Sequence, residues 1–134
     1  MDRRNARACA MKLVYEWELG GDGGNETLTG LLDIMPDEPE ADFMNQLVEG
    51  VIRDHEELDE KIASFLQEGW KLERLSRVDR AILLIAAYEL TKTDLSDSIV
   101  INEAVELAHQ YSTDKAGAFI NGVLGSLARS LKNE

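Results

Sequence analysis

Apolar residues recur every three or four positions along most of the chain, and no segment alternates long enough to mark a half-buried strand. Between residues 3 and 19 the positions Ala6, Cys9, Ala10, Leu13, Val14 and Trp17 predict an amphipathic helix with one buried stripe. The run Gly20-Gly21-Asp22-Gly23-Gly24 ends it, because glycine accepts the left-handed turn that closes many helices. A short helix around Leu28, Leu31 and Leu32 follows, and Pro36 and Pro39 break the chain again. From residue 41 to 66 the stripe Phe43, Leu47, Val48, Val51, Ile52, Leu58, Ile62, Phe65 and Leu66 keeps helical spacing, as one long helix or two in succession. Gly69 and Trp70 mark a turn, and residues 72–75 predict one short helical turn.

The next segment, residues 78–90, is apolar nearly all round, with Ala81 to Ala87 uninterrupted and Asp79, Arg80 and Glu89 confined to its ends. Such a helix sits at the centre of its fold. A polar connector over residues 91–98 offers Asp97 or Ser98 as an N-cap. Ile101, Ala104, Val105, Ala108 and Tyr111 outline another helix, and Phe119, Ile120, Val123, Leu124, Leu127, Ala128 and Leu131 a last one, with Asp114 a candidate cap. The pattern predicts an all-α protein of six to seven helices, built from a 1–67 half and a 68–134 half.

At 134 residues, 44% hydrophobic and 30% charged, the chain has the composition of a soluble globular domain. The lone Cys9 excludes an intramolecular disulfide framework and fits a reducing cytoplasm. The start Met1-Asp2-Arg3-Arg4-Asn5 lacks a signal-type apolar region, and no apolar run approaches the ~20 residues that span a bilayer. The net charge of −12 argues against nucleic acid until its distribution is read. Residues 20–69 hold two basic and fourteen acidic groups, whereas residues 1–19 hold four basic and three acidic ones. Charges more than about 10 Å away are largely screened at physiological salt, so the basic start can act locally.

Catalytic constellations are absent from the pattern. His55 and His109 are the only histidines, and Glu106-Leu107-Ala108-His109 supplies one Glu-x-x-His element where a di-iron bundle needs two. No nucleophile is paired with a base, and no metal or cofactor is expected. Two segments remain. Arg3, Arg4 and Arg7 with Lys12 open a helix whose N-terminus is already electropositive, an arrangement that an anionic partner would relieve. In Phe119-Ile120-Asn121-Gly122-Val123-Leu124, Gly122 suggests close helix packing, and Phe119 is either a core residue or a platform for an unpaired base.

These segments carry a resemblance. Arg3-Arg4-x-Ala6-Arg7, Leu13-Val14-Tyr15-x-Trp17, Gly69-Trp70-x-Leu72-x-Arg74-Leu75, Val78-Asp79-Arg80-Ala81-Ile82-Leu83 and Ala87-Tyr88-Glu89-Leu90 occur in the order found in the NusB family of transcription antitermination factors. Ile101-Asn102-Glu103-Ala104-Val105-Glu106-Leu107-Ala108 and the Phe119 to Leu124 segment complete it. The resemblance implies two three-helix bundles, and binding in place of catalysis. It implies as partners the ribosomal protein NusE, single-stranded boxA RNA of ribosomal transcripts and, in a larger complex, NusA, NusG and RNA polymerase. Carried over by motif, Arg3, Arg4 and Arg7 become phosphate contacts, Phe119 a base-stacking residue, and Tyr15, Glu73 and Asp79 the NusE-facing surface.

Asn5, Leu84, Ala116 and Ala118 stand where related chains commonly hold arginine, arginine, serine and lysine. Fewer donors predict weak RNA binding without NusE. An alternative is a helical interaction scaffold with little RNA affinity of its own. A domain of this family also precedes the catalytic domain of some ribosomal RNA methyltransferases, but residues 1–134 contain no Gly-rich cofactor loop. Members of the family occur as monomers and as homodimers, and a second copy could cover the RNA surface.

Overall fold

The computed structural model describes residues 3–20, 38–66 and 74–132. Among them are five helices and no strand: α1 (Arg3–Glu18), α2 (Glu38–Ala63), α3 (Arg77–Lys92), α4 (Asp97–Tyr111) and α5 (Asp114–Lys132). The six to seven helices expected from sequence therefore become five among the described residues. The segment around Leu28 and Leu32, the Gly69-Trp70 turn and residues 72–73 lie outside them.

Local chemistry accounts for the helix boundaries. Gly20 has φ +89° and donates its N–H to the Trp17 carbonyl at 3.0 Å, closing α1 as the glycine run implied. Residues 38–63 form one unbroken helix, since the apolar stripe never leaves a single face. Ser76 caps α3 by accepting the Asp79 N–H at 3.0 Å, and the Thr93 hydroxyl donates to the Glu89 carbonyl at 2.6 Å at the other end. Two expected caps sit one residue early. Ser96 is the N-cap of α4, with Asp97 the first helical residue. The Thr113 hydroxyl accepts the Ala116 N–H at 3.0 Å, so Asp114 opens α5 and threonine makes the cap bond.

Every residue of α3 from Ala81 to Leu90 is buried, and α3 packs against each of the other four helices. Helices α1 and α2 pack on each other and on α3; α4 and α5 do the same. Two three-helix groups thus share one helix, and their apolar side chains form one continuous core. A division at residue 67 places α3 in the second half by sequence, yet its side chains serve both. Two glycines are demanded by this packing. A Cβ on Gly50 would overlap the Tyr88 ring, and one on Gly117 would lie 2.7 Å from the His109 imidazole. Gly122 faces open space, so the close packing expected there is found at Gly50 and Gly117 instead.

Ile82 is 1% exposed on the face of α3 that meets the other helices. Ile82→Asp places an unpaired charge there and should cost several kcal/mol. A thermal melt followed by circular dichroism checks this; a melting temperature equal to the parent's would remove α3 from the core.

Candidate functional site

The first turn of α1 contains no acid to balance its dipole, and its three arginines meet three different fates. Arg7 is buried. Its Nε and Nη2 donate to both oxygens of Glu89 on α3, at 2.8 to 3.2 Å, with side-chain exposures of 6% and 2%. A small cavity beside the pair is lined by Ile85 and Ala86 of α3 and by Val100, Ala104 and Leu107 of α4. The guanidinium expected at a phosphate is therefore a core group, held at the junction of α1, α3 and α4.

Arg4 points across to α4. Its Nε and Nη2 donate to the two carboxylate oxygens of Glu103 at 3.0 and 3.2 Å; the arginine is 59% exposed and the glutamate 18%. Eight residues further along α1, the Lys12 ammonium lies 5.0 Å from the centre of the Tyr111 ring. The offset between partners is the same in both contacts, so these two side chains staple α1 to α4 twice in the same chain direction, across a span of roughly 12 Å. Arg3 takes neither path. Its guanidinium lies over the Phe43 ring of α2, 4.5 Å from the centre, with no carboxylate partner among the described residues. The cationic edge of the molecule is thus Arg3, Arg4 and Lys12.

The opposite end of α1 carries the exposed side chains of Tyr15 and Leu19. One turn beyond Tyr15, Glu18 ties α1 to the start of α3. Arg77 donates to the Glu18 carbonyl at 2.7 Å, and Arg80 Nη1 to Glu18 Oε1 at 3.1 Å. Arg80 also donates through Nε and Nη2 to Asp59 of α2, at 3.2 and 2.6 Å. One guanidinium therefore serves two carboxylates. The Glu18 side chain is fully buried and its Oε2 lacks a donor among the described residues. Burial outweighs the attraction of Arg80 and pushes the Glu18 carboxyl up to about 7. Asp79, between Arg77 and Arg80, is half-buried and has one oxygen without a donor. Glu73 lies outside the described residues.

Phe119 is half-buried on the second turn of α5 and packs against the core, with Lys115 exposed one turn earlier. Of the four positions that depart from the family's pattern, Leu84 is fully buried and Ala116 is 7% exposed. In this chain those two positions belong to the interior and do not face a phosphate. Asn5 and Ala118 are at the surface. Elsewhere, His55 packs its ring 4.9 Å from that of Trp17. Cys9 is buried, which raises its thiol. No described helix is long and apolar enough to cross a membrane.

Several of these partners escape a one-dimensional reading. Glu103, Phe43 and Asp59 look like ordinary helix positions until α1 and α3 are packed against them. Glu89 alone carried a signal. It follows Ile82 and Ile85 on one face of a helix apolar all round, where a charge requires a buried partner of opposite sign.

Comparison with known proteins agrees with this geometry. The family model described as "NusB family" matches residues 4–129. The chain is 41% identical over 131 residues to the transcription antitermination protein NusB of Acetivibrio thermocellus, covering 96% of this chain and 90% of the relative. The fold superposes on T. maritima NusB with a TM-score of 0.85 at 32% identity, covering 96% and 92% of the two chains. It also superposes on a chain from a crystal structure of the antitermination factors NusB and NusE in complex with double-stranded RNA, with a TM-score of 0.85, 28% identity and 96% of each chain covered.

Two variants test the charged groups. Arg7→Ala strands Glu89 in the core and should lower stability by about 3–5 kcal/mol in urea denaturation, while Arg7→Met with Glu89→Leu should recover most of it. A small loss for Arg7→Ala alone would return that arginine to the surface. For Glu18, the unfolded carboxyl titrates near 4.5 and the folded one near 7. Between these values the folded state holds the extra proton, so this group's contribution to stability falls as pH rises. Glu18→Gln should therefore gain in melting temperature relative to the parent between pH 5 and pH 8; a constant difference would show that Glu18 ionises normally.

Proposed function

Because the chain belongs to the NusB family, we propose that it acts by binding, without catalysis, as an antitermination factor that holds boxA RNA jointly with NusE. The complex would then join NusA, NusG and RNA polymerase. The observation that carries this reading is the cationic edge of α1. In a chain of net charge −12, Arg3, Arg4 and Lys12 lie on one helix, whereas Glu49, Glu56, Glu57 and Glu60 are exposed on α2. Phosphates contact Arg3 and Arg4 at the start of α1, with Lys12 about two turns further along the helix, and Phe119 stacks on an unpaired base. Arg7 serves the site indirectly, by fixing the angle at which α1 leaves the core.

The NusE-facing surface is the other end of α1, with Tyr15 and Leu19 exposed and Asp79 at the start of α3. The Glu18–Arg77 and Glu18–Arg80 contacts support this assignment, because they bring those two helix ends together. A basic ribosomal protein would meet acidic and aromatic groups there.

A second reading has its own observation. Arg7 is committed to Glu89 and Arg4 to Glu103, so few cations remain for RNA. The protein would then be chiefly a scaffold for NusE.

Titration of single-stranded boxA RNA, with and without NusE at two salt concentrations, separates the readings. Binding in the presence of NusE supports the first, and its absence in both cases leaves the scaffold. Arg3→Ala should lower the slope of log affinity against log salt by roughly 0.7. Phe119→Leu keeps apolar bulk against the core but removes the ring; it should cost about 1–3 kcal/mol of binding and leave the slope unchanged. Double-stranded RNA, whose bases are already stacked, should not respond to Phe119→Leu. An equal loss on both RNAs would end the stacking role.

A further inference from the structure

We propose that Glu103 is a built-in competitor for RNA, which latches Arg4 to α4 and sets the affinity of the cationic edge. This inference rests on the reading that Arg4 meets a phosphate. The contact uses Arg4 Nε and Nη2 together, an edge whose planar two-donor geometry a phosphate would also take. Glu103 is therefore a chemical mimic of the ligand, attached to the protein.

The two partners are unequally placed, and that decides the direction of the effect. Arg4 is 59% exposed and can swing outward, whereas Glu103 is 18% exposed and is left half-sheltered when Arg4 departs. The neighbouring staple provides no substitute cation, because Lys12 lies one span away over Tyr111. Arg7, the next arginine on α1, is held by Glu89. An incoming phosphate must exchange for the carboxylate, leave Glu103 without its cation, and approach a like charge. Each of these weakens RNA binding. Arg3 differs: it rests on a ring face, with no anion to displace among the described residues. The edge thus combines one ready cation with one latched cation.

Exchange also predicts a salt signature. A guanidinium already neutralised by a carboxylate contributes less than a full contact to the salt dependence, and removing that carboxylate raises its contribution.

The test is a double-mutant cycle on boxA RNA in the presence of NusE, with Glu103→Gln and Arg4→Ala singly and together. Glu103→Gln should tighten binding roughly two- to fivefold, the range set by exposed ion pairs, and steepen the salt slope by up to about 0.7. In the Arg4→Ala background both changes should vanish. A gain of equal size in both backgrounds would show simple charge repulsion and overturn the latch. No gain, with Arg4→Ala still weakening binding, would overturn the latch while leaving the RNA reading of Arg4 intact. If Arg4→Ala changes nothing in either background, the phosphate role of Arg4 fails and the latch falls with it. Should Glu103→Gln lower the melting temperature, Glu103→Asp replaces it: one methylene shorter, it breaks the two-bond contact and should give a smaller gain in the same direction.

Discussion

A helix without a polar face exists in water only if other elements cover every side of it. α3 is such a helix, and the architecture follows from that constraint: α1 and α2 supply one set of apolar stripes, α4 and α5 another, and both close on α3. The requirement is strict enough that the one charge within the buried run, Glu89, had to be matched by a cation brought in from another helix. Arg7 does this with geometry that satisfies both carboxylate oxygens. The pair adds directionality that apolar contacts lack. It constrains the rotation of α1 about its own axis, and with it the sides on which Arg3 meets α2 and Arg4 and Lys12 meet α4.

The surface charge can be understood from that anchoring. A net charge of −12 would repel a polyanion if it were spread evenly, but much of the acid is carried by the face of α2 or drawn into ion pairs. Asp59 and Glu18 share Arg80, Glu57 holds Lys92, and Glu103 holds Arg4. On the proposed RNA-binding reading, what matters is which cations remain without a carboxylate. By that measure the basic start of the chain is smaller than its composition suggests, and its strength is set by acids on other helices.

The two ends of α1 do different work on one rigid body. Arg4 near its start and Lys12 further along bridge it to α4 through Glu103 and Tyr111, and its C-terminal end is tied to α3 by Arg77 and Arg80. A ligand at one end and a partner at the other would meet the same helix, held between by a core that buries the Arg7–Glu89 ion pair.

Helical periodicity and glycine chemistry were enough to determine the all-α class, the extents of α1 and α3, the central place of α3 and the burial of Cys9. These depend on contacts within a few residues, or on a stripe that any apolar partner can cover. The family's motifs added the assignment of function. The tertiary structure decided what the charged side chains do. Arg3, Arg4 and Arg7 are neighbours in sequence and of one chemical type, yet one lies on a ring, one on a surface carboxylate and one in the core. Their partners Phe43, Glu103 and Glu89 are 40, 99 and 82 residues away. The same holds for Gly50 and Gly117, whose need for glycine comes from Tyr88 and His109. Partners so distant are chosen by helix packing, because an ion pair or a ring contact depends on distances of a few ångströms that no local pattern encodes.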